Sequence, residues 1–97
     1  MAIVIYAESE NGKIKKIAFE LASYGRALAD KMGIPLIAVT FNQEENDLLG
    51  SHGVEKVIKI RDESLNDFNA KQYAKNIATV AKDNQAKMVV LSAIDLP

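Results

Sequence analysis

The stretch Ala2-Ile3-Val4-Ile5-Tyr6-Ala7-Glu8-Ser9-Glu10-Asn11-Gly12-Lys13-Ile14-Lys15-Lys16 decides the fold class of this chain. Its first six residues are continuously apolar and rich in β-branched side chains. That is the pattern of a strand buried on both faces rather than of a half-exposed strand, which would alternate. Six residues are too few for a signal-peptide core and far too few for a membrane span. Similar runs recur at Leu36 to Val39, Val57 to Ile60 and Met88 to Leu91. The intervening segments are long enough to hold helices, so the order of elements predicts βαβ units and a parallel sheet. Runs one, two and four read as covered strands. The third is broken by Lys59 and flanked by Lys56 and Arg61, the charge pattern of a protected edge. A strand order of 3-2-1-4 follows, with the first run central, in a three-layer α/β/α, Rossmann-like fold.

The helices are legible from period and caps. Ile14, Ile17, Ala18, Leu21, Gly25, Leu28, Ala29 and Met32 recur at three- and four-residue steps and form one apolar stripe. Lys16 with Glu20 and Arg26 with Asp30 sit at i,i+4 spacing on the other face. Gly33 is placed to stop this helix in a left-handed conformation, and Pro35 prevents its continuation. Asn42 and Glu45 have capping-box spacing for a short second helix ending at Gly53. A third is predicted from Asn69 to Asn84, with Tyr73, Ala74, Ile77, Ala78 and Ala81 inward.

Ninety-seven residues, 48% hydrophobic and 26% charged, suffice for one folded domain. Twelve basic and thirteen acidic residues leave a formal net charge of -1, which disfavours nucleic acid and an anionic membrane as partners. With no cysteine there is neither a disulfide nor a thiolate metal site. Met1 stands directly before the first strand without an Arg- and Ser-rich leader, so the expected location is the bacterial cytoplasm.

A parallel α/β sheet raises the question of a nucleotide, and the motifs for one fail. Gly12-Lys13 resembles the end of a P-loop, but Ala7 and Ile14 stand where that loop needs Gly and Ser or Thr. The five glycines, Gly12, Gly25, Gly33, Gly50 and Gly53, make no G-x-G-x-x-G. Gly50-Ser51-His52-Gly53 is similar to the phosphate loop of universal stress proteins, yet that family's further glycine would fall near Glu63 or Ser64, where there is none, and the segment follows the second helix rather than the fourth strand. Gly50 and Gly53 therefore read as helix-ending residues.

His52 is the only histidine and reads as a solvated helix-end residue. Glu44, Glu45 and Asp47 lack the glycine turn and bidentate closing residue of a calcium loop. Tyr6, Tyr24 and Tyr73 lie on separate elements and read as core or boundary aromatics. The loop Glu8 to Gly12, beyond the carboxyl end of the first strand, is the best generic ligand position. Its two carboxylates oppose phosphate, and Asn11 as cap with Gly12 as turn explains it structurally. No catalytic, cofactor-binding or metal-binding residue is assigned.

Taken together, Ile3 to Glu8 followed by Asn11-Gly12-Lys13-Ile14-Lys15-Lys16 resembles the start of electron transfer flavoprotein alpha subunits. Glu20-Leu21, Arg26-Ala27-Leu28-Ala29-Asp30-Lys31 and Gly33 resemble that family's first helix. Leu48-Leu49 and His52-Gly53-Val54-Glu55-Lys56-Val57 resemble its second helix and third strand, with His52 where an aromatic is common and Val54-Glu55 in place of Ala-Asp. Tyr73-Ala74 and Val89-Val90-Leu91 fit the remaining pattern. The resemblance implies an adenine-nucleotide alpha-hydrolase-like fold and a non-catalytic electron carrier. In that family an alpha and a beta subunit form a heterodimer that passes electrons from acyl-CoA and other dehydrogenases to a membrane quinone oxidoreductase. It further implies that residues 1–97 are the N-terminal domain of a longer alpha subunit, whose FAD lies mainly in a C-terminal domain outside this chain. The alternative is a small adenine-nucleotide-binding protein of the universal-stress type.

Overall fold

Strand β1 (Ala2–Tyr6) is buried along nearly its whole length and sits inside a four-stranded parallel sheet. The structure is a computed structural model and describes residues 1–43, 49–63 and 70–91. The chain continues through β2 (Ser9–Glu10), β3 (Lys13–Ile14) and α1 (Lys16–Met32) to β4 (Leu36–Phe41). A single 3-10 turn at Gly50–His52 precedes β5 (Lys56–Ile60), α2 (Ala70–Asp83) and β6 (Ala86–Val90). The large sheet has the order β5-β4-β1-β6, which in terms of the four apolar runs is the expected 3-2-1-4. Its register places Ile3 beside Leu36 and Met88, and Ile5 beside Ala38 and Val90.

Two hydrophobic clusters lie on opposite faces of this sheet. Ile3, Ile5, Ala7, Leu36 and Ala38 pack with Ala18, Ala22 and Ala29 of α1. Ala2, Val4, Ile37, Val39 and Phe41 pack with Ile77 and Val80 of α2. The alternation of these residues along β1 and β4 is the period-two geometry of a strand carrying apolar side chains on both sides. The β1–β4 crossover through α1 lies on one face and the β5–β6 crossover through α2 on the other, which makes the sheet doubly wound, with its switch point between β1 and β6.

The α1 interface is built from small residues. Ala18, Ala22, Gly25 and Ala29 are the buried positions, and a Cβ on Gly25 would stand 2.8 Å from Leu36 Cδ1 and 3.1 Å from Ile5 Cγ2. The helix therefore lies close on the sheet, and glycine is what permits it. Gly33 ends α1 at φ 68. Ile34 N donates to Ala29 O at 3.1 Å and Gly33 N to Asp30 O at 3.3 Å, which uses two of the otherwise unpaired terminal carbonyls.

Several local expectations are corrected. Residues 9–14 form an antiparallel hairpin with Ser9 opposite Ile14 and Glu10 opposite Lys13. Asn11 (φ 52) and Gly12 (φ 78) occupy its turn, both left-handed as a two-residue type I′ connection requires. Asn11 is thus a turn residue rather than a helix cap, and Ile14 belongs to β3 rather than to α1. Asn42 is also left-handed, at φ 53, and its side chain bonds to the backbone of Asp62. The rest of the predicted second helix, at 44–48, lies outside the described residues, as does Asn69. Gly53 does act as the left-handed stop, at φ 95 after the 3-10 turn.

On α2 the inward residues are Tyr73, Ile77 and Val80, whereas Ala74 and Ala78 face out. The largest difference concerns the fourth run. Among the described residues β6 stands at the edge of the sheet, and Met88 (42%) and Val89 (39%), with Leu91 (53%) just beyond, are exposed instead of covered. The opposite edge, β5, carries Lys56 and Lys59 outward as expected.

Candidate functional site

In an open α/β sheet ligands bind beyond the carboxyl ends of the strands, which here means the end of β1, the β2–β3 hairpin, the ends of β4 and β5, and the first turns of α2. The hairpin folds back over this edge because Glu8 O accepts from Lys15 N at 2.9 Å, while Lys15 Nζ donates to Glu8 Oε2 at 2.6 Å. The Glu8 side chain is only 12% exposed, so its charge is answered internally. Ser9 Oγ donates to Phe41 O at 2.7 Å and ties the hairpin to the end of β4.

Beside this polar clasp stands an aromatic cluster. Tyr6 meets Phe41 edge-on at 5.5 Å between ring centroids and Tyr73 at 6.1 Å. Phe41 and Tyr73 are tilted at 4.4 Å. Burial raises the Tyr73 hydroxyl above its ordinary value, and the negative charge of Glu8 adds to this. Asn42 closes the neighbouring strand ends through a reciprocal pair with Asp62, Nδ2 donating to Asp62 O and Oδ1 accepting from Asp62 N, both at 2.8 Å. Among the described residues, the carboxyl ends of β1 and β4 thus carry the Glu8–Lys15 pair, the three packed rings, and a hairpin where a glycine-rich loop would cradle phosphate. Thr40 Oγ1, on the α1 side of β4, is a fully buried hydroxyl with no hydrogen-bond partner among the described residues.

A second constellation joins residues distant in sequence. Arg26 on α1 donates from Nη1 to Gly53 O at 3.0 Å and to Glu55 Oε1 at 2.7 Å, and its Nη2 lies 2.8 Å from Asp30 Oδ1. The bond to Glu55 raises the guanidinium above its ordinary value; burial opposes this in part and Asp30 reinforces it. Gly53 lies under the Arg26 stem, where a Cβ would fall 2.6 Å from Arg26 Cδ. Next to it the His52 ring packs on Phe19 at 4.7 Å, with Ser51 Oγ 3.3 Å from His52 Nδ1. His52 thus has the contact an aromatic would make at that position, which explains how a histidine stands there. Glu55 carries a longer carboxylate than the Asp of the resembling pattern and reaches Arg26 with it.

Among the described residues no group of three or more His, Asp or Glu is placed to hold a metal ion. Glu44, Glu45 and Asp47 lie outside them. No helix among the described residues is long and apolar enough to cross a membrane. Tyr24 is 57% exposed on α1, a surface residue rather than a core one. The hairpin was the element that sequence reasoning missed, and its signal was the Asn11-Gly12 dipeptide.

A doubly wound parallel sheet with a hairpin and an aromatic cluster at the carboxyl ends of its central strands defines a Rossmann-like domain. The chain belongs to the electron transfer flavoprotein domain family, which matches residues 3–94. It is 33% identical over 93 residues to an electron transfer flavoprotein subunit alpha of Clostridium acetobutylicum, covering 92% of this chain and 27% of that relative. It is 29% identical to an acryloyl-CoA reductase electron transfer subunit beta of Anaerotignum propionicum, over 97% of this chain and 26% of the relative. To a Protein FixB of Clostridium saccharobutylicum it is 26% identical, over 92% and 27% respectively. The chain therefore spans about a quarter of the length of these relatives.

Proposed function

We propose that these 97 residues are the N-terminal domain of an electron transfer flavoprotein alpha-type subunit and act as the scaffold through which that subunit pairs with its beta partner. The observation that carries this reading is a family match running nearly end to end, over residues 3–94. Three relatives, each named for electron transfer or as FixB, align over more than nine-tenths of the chain. In this reading FAD is held mainly by polypeptide outside residues 1–97. The heterodimer takes electrons from dehydrogenases such as acyl-CoA dehydrogenases and delivers them to a quinone oxidoreductase. The domain performs no chemical step itself, inserts no segment into the bilayer, and works in the bacterial cytoplasm.

The reading is tested by calorimetric titration of the chain with FAD and with ATP, alongside co-purification with an electron transfer flavoprotein beta subunit. Neither nucleotide should bind, and the beta subunit should be retained. Micromolar affinity for ATP would replace this reading with the universal-stress type, whose ligand would lie at the carboxyl edge of the sheet.

A further inference from the structure

Asn11 and Asn42 both stand in left-handed backbone conformation, and the structure treats their side chains differently. The Asn42 carboxamide is engaged from both ends, Nδ2 donating to Asp62 O and Oδ1 accepting from Asp62 N, each at 2.8 Å. Asn76 and Asn84 donate from Nδ2 to Gln72 O at 2.9 Å and to Val80 O at 2.8 Å. Asn11 is exposed at the tip of the β2–β3 hairpin, and its carboxamide makes no hydrogen bond among the described residues. It is also the one asparagine of the sequence that precedes a glycine, so the next main-chain nitrogen is shielded by no side chain. The hairpin around it rests on two residue pairs, Ser9 with Ile14 and Glu10 with Lys13. A ribbon this short opens more readily than the central strands.

We propose that Asn11 is a self-modifying site, at which the Gly12 main-chain nitrogen attacks Asn11 Cγ when the hairpin opens and converts the asparagine to aspartate and isoaspartate. A bond forms between Gly12 N and Asn11 Cγ, and the Cγ–Nδ2 bond breaks. The proton of the attacking nitrogen goes to the departing amide, which leaves as ammonia. Water then opens either carbonyl of the cyclic imide and restores the Gly12 N–H. Ring closure needs Asn11 Cβ and Gly12 N on the same side of the Cα–C bond, an arrangement remote from the left-handed turn, so the closed hairpin protects the site. Isoaspartate carries the main chain through the side-chain methylene and lengthens the turn by an atom. A two-residue type I′ connection has no room for it, so this product unpairs Ser9 from Ile14 and Glu10 from Lys13. Aspartate suits the same turn and leaves the hairpin as it was.

The test is peptide mapping of the 97-residue chain aged at mildly alkaline pH, with the tryptic peptide Met1 to Lys13 reporting Asn11 and fragment masses from Met32 to Lys56 reporting Asn42. Conversion at Asn11 should run at least about tenfold ahead of Asn42. It should yield mainly isoaspartate and quicken with pH, because the attacking nitrogen must lose its proton. Ser9→Ala removes the 2.7 Å bond from Ser9 Oγ to Phe41 O that holds the hairpin to β4. This variant, its sheet verified by circular dichroism, should convert about threefold to fivefold faster, the equivalent of one hydrogen bond. Unfolding in urea should raise the rate by about tenfold over the folded wild type. Asn11→Asp should keep the amide contacts between Ser9 and Ile14 that the isoaspartyl chain loses. Conversion at Asn11 no faster than at Asn42 overturns the proposal. So does a rate that neither Ser9→Ala nor urea changes, since the hairpin would then govern nothing.

Discussion

Arg26 shows how one side chain fastens sequence-distant parts of this domain. Its guanidinium spans Gly53 O, Glu55 and Asp30, and its stem lies across Gly53. Glu55 and Asp30 are well exposed, at 51% and 69%, so the ion pairs themselves contribute little. The carbonyl bond and the stem packing matter more. Arg26→Ala should therefore lower stability by about 1 kcal/mol, read from the urea midpoint at unchanged slope. Arg26→Lys should recover only part of it, because a single ammonium cannot address three acceptors at once. Tyr73 gives a pH prediction. Its hydroxyl is raised above the ordinary value in the folded chain, so its neutral form favours folding. That contribution is complete below the unfolded tyrosine value, near 10, and is lost as pH rises through the folded one. Tyr73→Phe, which keeps the ring against Tyr6 and Phe41, should flatten the loss of melting temperature at alkaline pH without shifting the neutral plateau downward by more than the missing hydroxyl explains.

At the scale of elements, close approach and turn geometry decide what substitutions do. Gly25→Val adds branched carbon where even a Cβ would stand 2.8 Å from Leu36 and 3.1 Å from Ile5. It should lift α1 off the sheet at a cost of about 1–3 kcal/mol in thermal or urea denaturation. Gly12→Val forces a β-branched residue to φ 78 and should cost about 1–2 kcal/mol. Its local signature is loss of the cross-strand amide contacts between Ser9 and Ile14 in nuclear magnetic resonance spectra. These two glycines also mark how far the sequence was legible. The strands of the core could be read because continuous apolar runs such as Ile3-Val4-Ile5 have no other good place in a small domain, and lysines on the third run identified an edge. The hairpin was hidden because Lys13-Ile14-Lys15-Lys16 also fits the start of a helix, and a two-residue strand pair is too short to impose its own period. Asn42 has a use that the sequence does not announce: the side-chain oxygen that suits it to a helix cap also ties two strand ends together through Asp62. The absence of a phosphate loop could be read directly, since that chemistry depends on glycines at fixed spacing.

For the whole molecule, the cover of the sheet is asymmetric. Strands β1 and β4 are central and buried almost throughout, sealed by α1 on one face and by the inward residues of α2 on the other. Among the described residues, β6 pairs with β1 alone and exposes Met88 and Val89, and α2 buries Ile77 and Val80. Opening β6 with α2 exposes far less apolar surface than opening β1, so the two halves should differ in local stability. Hydrogen exchange should protect the amides of Ile3 to Tyr6 and Ile37 to Phe41 most, near the limit of global unfolding. The amides of Lys87 to Val90 and of α2 should exchange earlier and together. Val4→Ala tests the asymmetry from the other direction. Val4 is fully buried on the α2 face and belongs to the central strand, so its truncation should cost about 1–3 kcal/mol and lower protection everywhere. Met88→Ala, at an exposed edge position, should leave β1 and β4 unchanged. Equal protection across β1 and β6 would show that the domain opens as one unit and that the uncovered edge does not weaken it.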